Sequence, residues 1–321
     1  MKLTGLKYVQ AGNAMSDIDA EDEQHNRLLT VLSHAVSHVS NEAIILAQFE
    51  AIQDEPFPHL WARNDDGQFS MRMDRVAEHL GGPLDIYVVR DGHQAPPADN
   101  YPPAALQEAT DVFARARKSV LRALMFSAGF QVLSENPDLT DMSDEPAVAQ
   151  ALVSQAQSAF WEHAEAAYIR LYSFWDRVGQ VLDFAFFNIR KFDQNGFNSV
   201  MDRIHVNAVP MDARLKASGS WKRLRTFQCS EKEDGLKWLL QRRNLVVHSL
   251  HLHPVEAVQE DVFKSQFNHL DVAHREKLRP RTPRDEMDLL AGQLNRAAEL
   301  FSDFLAIIEL TPSRKPERFV D

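Results

Sequence analysis

YIRLYSFWDRVGQVLDFAFF, Tyr168 to Phe187, sets the class of this protein before any other segment is read. Leu171, Phe174, Val178, Val181, Leu182 and Ala185, with Ile189 beyond, return every three or four positions. That period gives a helix one continuous apolar face and fits no strand. The helical reading extends back to Ala147 and on to about Phe192. This exceeds the ordinary globular length, so a kink or two helices are expected. A second stripe, Tyr172, Asp176, Gly179 and Asp183, runs beside the first. Glycine inside a helix costs about 1 kcal/mol relative to alanine. Close approach by another element would explain it, and a solvated acidic face with an incidental glycine is the alternative.

Outward from this core, a helix is expected from about Glu23 to Glu50, with Leu28, Val31, Leu32, Ala35, Val39 and Ala43 on one face. Shorter helical patterning covers Ser70 to Leu80 and stops at Gly81-Gly82-Pro83. Leu84 to Val89 is the best strand candidate, though one strand makes no sheet and an extended arm fits equally. Ala95 to Pro103, with four prolines, reads as a loop. Another helix runs from about Ala104 to Leu133. The acidic, proline-bearing stretch Asn136 to Pro146 is the expected boundary between an N-terminal region, 1–146, and a C-terminal one, 147–321. Residues 197–230 read as irregular. A last helix, from about Arg284 to Leu310, buries Leu289, Leu290, Leu294, Ala297, Leu300, Phe301, Phe304 and Ile308. The fold class is all-α.

Between these lies Arg243-Asn244-Leu245-Val246-Val247-His248, late in a helix expected from Ser230 to Pro254. Ser230 reads as its N-cap, and Glu231, Glu233 and Asp234 suit the positive end of the dipole. Arginine offers phosphate a planar, permanently charged fork. Histidine titrates near neutrality and serves as base or acid. Asn244 shares a helix face with His248, four positions on, and could orient the ring or the substrate. Asp176 is the expected orienting carboxylate, with this helix as the neighbour that wants Gly179. The competing reading is a buried network in which Arg243 and His248 bond to Asp176 or Asp183. Lys222, Arg223 and Arg225, with Arg242, form the candidate phosphate-binding set beside Trp221. A solvated basic turn with Trp221 in the core is the alternative.

At 321 residues, 44% hydrophobic and 25% charged, the chain is one large or two ordinary globular domains. The net charge of −11 argues against a general nucleic-acid coat. Its distribution is uneven: residues 1–150 carry 23 acids against 11 bases, whereas Asp212 to His248 carries nine bases against four acids. One cysteine, Cys229, excludes an intramolecular disulfide and a cysteine zinc site. Two histidine groupings, His34 with His38 and His248 with His251 and His253, lack the further ligands a metal site needs, so no metal or cofactor is expected. No apolar run spans a bilayer, and the opening residues lack the order of a secretory signal. A cytoplasmic protein is expected.

Arg-Asn-x-x-x-His late in an all-α chain resembles the HEPN superfamily (higher eukaryotes and prokaryotes nucleotide-binding), whose members carry an R-x4-6-H motif. The resemblance covers about 147–310, with Tyr168–Phe187 similar to the long helix that packs on the motif helix. It implies a helical bundle, often dimeric. It also implies a metal-independent endoribonuclease, of toxin–antitoxin or anti-phage type, with Arg243, Asn244 and His248 in the catalytic positions. RNA, a second copy and an antitoxin or regulatory protein are the implied partners. Leu250 stands where some regulated members have a tyrosine, which puts that mode of regulation in doubt. Other members bind nucleotide or protein without cleaving, and that is the alternative function.

Overall fold

The computed structural model describes residues 16–54, 57–60, 66–81, 101–136, 146–187, 196–248, 268–269, 271–272 and 281–312. Among them the regular elements are all helices: α1 (Ser16–Ala51), α2 (Asp66–Leu80), α3 (Tyr101–Glu135), α4 (Pro146–Phe187), α5 (Phe197–Asn207), α6 (Ala213–Ala217), α7 (Gly219–Cys229), α8 (Leu236–His248) and α9 (Pro283–Leu310). The strand candidate at 84–89 lies outside the described residues. None of these helices is long and apolar enough to cross a membrane.

The chain forms two units, Met1–Pro56 and Phe57–Asp321. The boundary expected at 146 therefore falls inside the second unit. The reason is the pairing of α3 with α4, the most extensive helix pair of the molecule. Glu108 meets Arg177, Phe113 meets Phe174, Ser119 meets Arg170 and Phe126 meets His163. As one position advances the other retreats, so the two helices are antiparallel. Pro102 and Pro103, read from sequence as loop, occupy the first turn of α3, where the missing N–H deprives the helix of nothing.

α4 runs as one helix of 42 residues, not as two. It is the centre of the second unit, touching α3, α5, α8 and α9. Leu171, Phe174, Val178, Val181 and Leu182 are completely buried, as their spacing requires. Phe174 packs edge-on to Phe113 of α3 and reaches Phe301 of α9. Its neighbour Trp175 lies against Phe197 of α5 and Phe227 of α7 at 5.0 and 4.5 Å. Burial on so many sides, rather than intrinsic propensity, stabilises this helix.

Residues 197–230, expected to be irregular, form α5, α6 and α7. Phe197, Val200, Met201 and Ile204 bury one face of α5. Asp212 caps α6 by accepting from the Arg214 N–H at 2.8 Å, and Ser218 caps α7 through the Trp221 N–H. Ser230, expected to open the motif helix, closes α7 instead. A turn follows, in which Gly235 is obligatory: a Cβ there would lie 2.4 Å from the Ser230 carbonyl oxygen. The buried Gln293 amide of α9 donates to the Glu233 and Gly235 carbonyls, at 2.6 and 3.2 Å, and fixes that turn. α8 thus starts at Leu236, with the three acids ahead of it rather than in its first turn. α9 opens one residue before the expected Arg284, with Thr282 as N-cap and Pro283 at the first helical position.

Gly179 does face a close neighbour, but it is α5. A Cβ on Gly179 would stand 2.7 Å from the Phe197 Cα and 2.9 Å from its nitrogen. Backbone cannot rotate away, so Gly179→Ala should lower stability by roughly 1–3 kcal/mol, against the gain in helix propensity. Gly292, on α9, has nothing within 4 Å of its Cβ position. Gly292→Ala should raise stability by about 0.5–1 kcal/mol. Urea midpoints of the two variants measured together check the opposite signs; a stabilised Gly179→Ala would refute the close contact.

Candidate functional site

Consecutive arginines on α8 have different surroundings. Arg242 is buried, and its guanidinium forks onto Glu286 of α9, with Nε and Nη2 donating at 3.0 and 2.7 Å to Oε1 and Nη2 at 2.7 Å to Oε2. Glu286 is fully buried. Burial works against the charge on Arg242, and the Glu286 carboxylate more than offsets it. The Tyr168 ring lies under the guanidinium at 5.8 Å. Burial, reinforced by Glu286, holds the Tyr168 hydroxyl well above its usual pKa. Arg242 is thus a core ion pair, not the phosphate-binding residue expected of it.

Arg243 is half-buried. Its Nη1 donates to Asn244 Oδ1 at 2.9 Å, and its guanidinium carbon lies 5.6 Å from the Tyr172 ring centroid. Among the described residues it forms no salt bridge. A guanidinium carries five N–H donors, so most remain for a ligand. Stacking on an aromatic face holds a flat cation without neutralising it.

One turn along α4 from Tyr172 stands Asp176. Its Oδ1 accepts the Phe197 N–H at 3.4 Å, which places the carboxylate on the N-terminal end of α5. Gly196 leaves room for it, since a Cβ there would approach Asp176 Oδ1 to 2.8 Å and the Tyr172 hydroxyl to 3.9 Å. Tyr172, Asp176, Gly196, Arg243 and Asn244 therefore meet where α4, α5 and α8 converge. Burial raises the Asp176 pKa, opposed by the Phe197 N–H and by the charge of Arg243. Burial also raises the Tyr172 hydroxyl, with Asp176 adding to it and Arg243 opposing. Of the two donors expected for Asp176, Arg243 makes no hydrogen bond to it, although its charge acts on the carboxylate, and the His248 ring lies outside the described residues. Asp183 is engaged with Arg203 of α5 in an ion pair. The acidic stripe of α4 serves α5, and among the described residues Asp183 makes no contact with Arg243.

His248 is the last residue of α8, four positions after Asn244. Its side chain, with His251 and His253, lies outside the described residues. Lys222, Arg223 and Arg225 sit on α7 rather than on a loop. Lys222 is exposed, but Arg223 is bound to Asp303 at 2.8 and 2.6 Å, and Arg225 to Asp202 and Gln228. Trp221 is buried and stacks on His205. The local excess of bases is largely matched by Asp202, Glu286 and Asp303, which lie outside the stretch that was counted. Sequence reading placed Tyr172 on the right stripe but gave it no part in holding Arg243. Its only signal was an aromatic residue one turn before a carboxylate on the helix that packs on the motif. No group of histidine, cysteine or carboxylate side chains among the described residues could hold a metal ion.

A raised carboxylate has a consequence for stability. Ionising Asp176 works against the fold, so wild-type stability should fall as pH rises from the unfolded carboxylate range through the higher folded value. Asp176→Asn keeps an acceptor for the Phe197 N–H and cannot ionise. Its midpoint relative to wild type should rise from pH 4 towards neutrality and then level off. A thermal-melt difference that stays constant over this range would show that Asp176 is not desolvated.

No protein-family model, no curated protein and no solved structure matches this chain.

Proposed function

We propose that this protein is a metal-independent endoribonuclease of HEPN type, acting on RNA through Arg243, Asn244 and His248. The observation that carries the reading is the contrast on α8. Arg242 is consumed by Glu286, whereas Arg243 keeps free donors beside Asn244 and is braced by the Tyr172 ring. A charge held this way, next to an amide and five positions before a histidine, suits a phosphate whose charge grows in the transition state.

In this reading the 2′-hydroxyl of RNA gives its proton to a base and its oxygen attacks the adjacent phosphorus. The bond to the 5′-oxygen breaks, and that oxygen takes a proton from an acid. The products are a 2′,3′-cyclic phosphate and a free 5′-hydroxyl. Arg243 binds the non-bridging oxygens and Asn244 fixes its guanidinium. His248 moves the protons. One imidazole is not base and acid at the same instant, so two copies of His248 brought to one cleft by a two-fold axis supply both. An antitoxin or other regulatory protein would act by covering this groove.

The test is cleavage of a labelled RNA in EDTA, beside the same strand with 2′-deoxyribose at the cut sites. Cyclic-phosphate ends should form on the first and no cleavage should occur on the second. Cutting of the deoxy-substituted strand would end the 2′-hydroxyl mechanism. Retained binding of RNA without any cleavage would favour the non-catalytic binding module.

A further inference from the structure

We propose that α1 is a self-association helix whose apolar seam pairs with the same seam on a second copy of this chain. Leu29, Leu32, Val36, Val39 and Ala43 follow one another at alternating steps of three and four, which is the spacing of a coiled-coil seam. They form one line along a regular helix, and none is covered: Leu29 is 51% exposed, Leu32 60%, Val36 56% and Val39 61%. Leu28 flanks the line and is also exposed. Leu46, next in register, is already buried, so the open seam ends at Ala43.

Two further properties of the segment require a cover. From Leu28 to Asn41 there is no lysine, arginine, aspartate or glutamate. The apolar line therefore has no charged rim to keep it singly in water. Thr30, Ser33, His34, Ser37, His38, Ser40 and Asn41 are weak helix formers, as are the two valines of the seam. Intrinsic propensity does not hold this segment helical, so burial of its apolar face must.

A second copy is the occupant that matches. The line is straight and repeats at the heptad step, so a two-fold axis sets each knob of one copy against the holes of the other. Side-chain exposures of this size offer at most roughly 550 Å² per copy, hence about 1,100 Å² for the pair, the size of a weak, reversible interface. Burying it would remove the largest uncovered run of aliphatic side chains in the helix.

Sedimentation velocity on the full chain, without RNA, tests this from about 1 to 50 μM, the range in which an interface of this size dissociates. Wild type should pass from monomer to dimer. Val36→Glu with Val39→Glu should raise the dissociation constant at least a hundredfold, with the thermal midpoint unchanged at concentrations where wild type is monomeric. Ala43→Leu, which adds apolar surface without charge, should lower the constant. A wild type that stays monomeric throughout, or a glutamate variant that dimerises as before, would overturn the proposal. So would a fall in the thermal midpoint of that variant at concentrations where wild type is monomeric, since the chain itself would then be covering the seam. A wild type that stays monomeric would also remove the two-fold cleft of the ribonuclease reading, whereas a glutamate variant that dimerises as before overturns the α1 seam alone.

Discussion

Arg243→Ala should reduce RNA cleavage by about 10²–10³-fold, the usual loss on removing one preorganised donor from a developing oxyanion. His248→Ala should reduce it by about 10²–10⁴-fold, the range for a group that moves a proton in the transition state. Both variants should keep wild-type helical content. Arg243 is half-buried and, among the described residues, makes one hydrogen bond, to its neighbour, and one ring contact, to Tyr172. Losing an exposed contact of that kind costs about 0.5–1 kcal/mol, too little to unfold the chain. Cyclic-phosphate formation in EDTA, measured beside a circular-dichroism melt, separates the two effects. Full activity in Arg243→Ala would dismiss this arginine from the chemistry. A fall in stability of several kcal/mol would place it in a structural network instead.

The residue before it should behave in the opposite way. Arg242→Ala leaves Glu286 charged and fully buried, and Glu286→Ala leaves Arg242 in the same position. Breaking one side of a buried, forked pair costs about 3–5 kcal/mol. In a unit of this size that lowers the thermal midpoint by roughly 10 °C. Replacing both together, Arg242→Met with Glu286→Leu, should recover most of the loss, because two desolvated charges disappear along with their attraction. The cleavage rate per folded molecule should change much less than in Arg243→Ala. A double variant as unstable as either single one would show that the pair stabilises beyond mutual neutralisation, through the Tyr168 hydroxyl beside it.

Most of the helical framework was legible because its signals are local. The stripe from Leu171 to Ala185 marked α4 as a buried helix, and the stripe from Leu289 to Ile308 did the same for α9. The short helices were missed although their signals were present. Phe197, Val200, Met201 and Ile204 have helical spacing, and Asp212 and Ser218 are caps, but eleven residues or fewer give a periodic pattern little length to show itself. Their stability comes from burial against α4 and α9, as the contacts of Trp175 with Phe197 and Phe227 show. The six-residue error at the start of α8 has a related cause. Ser230 is a cap-type residue in either role, and only the crowding of Gly235 against it shows that α7 ends there.

For the candidate site the division runs between two adjacent side chains. Sequence alone determined that Arg242, Arg243, Asn244 and His248 share one helix, since periodicity is a property of neighbours along the chain. Nothing in that segment distinguishes the two arginines. Glu286, distant in sequence, took one of them into the core, and Tyr172 braced the other at half exposure. The same holds for Gly179, whose need for a close neighbour was readable while the neighbour's identity, α5 rather than α8, was not. Composition and spacing fix what a residue is able to do. Which of those options it exercises depends on the opposite charge, ring or backbone brought to it across the fold, and the tertiary structure alone decides that.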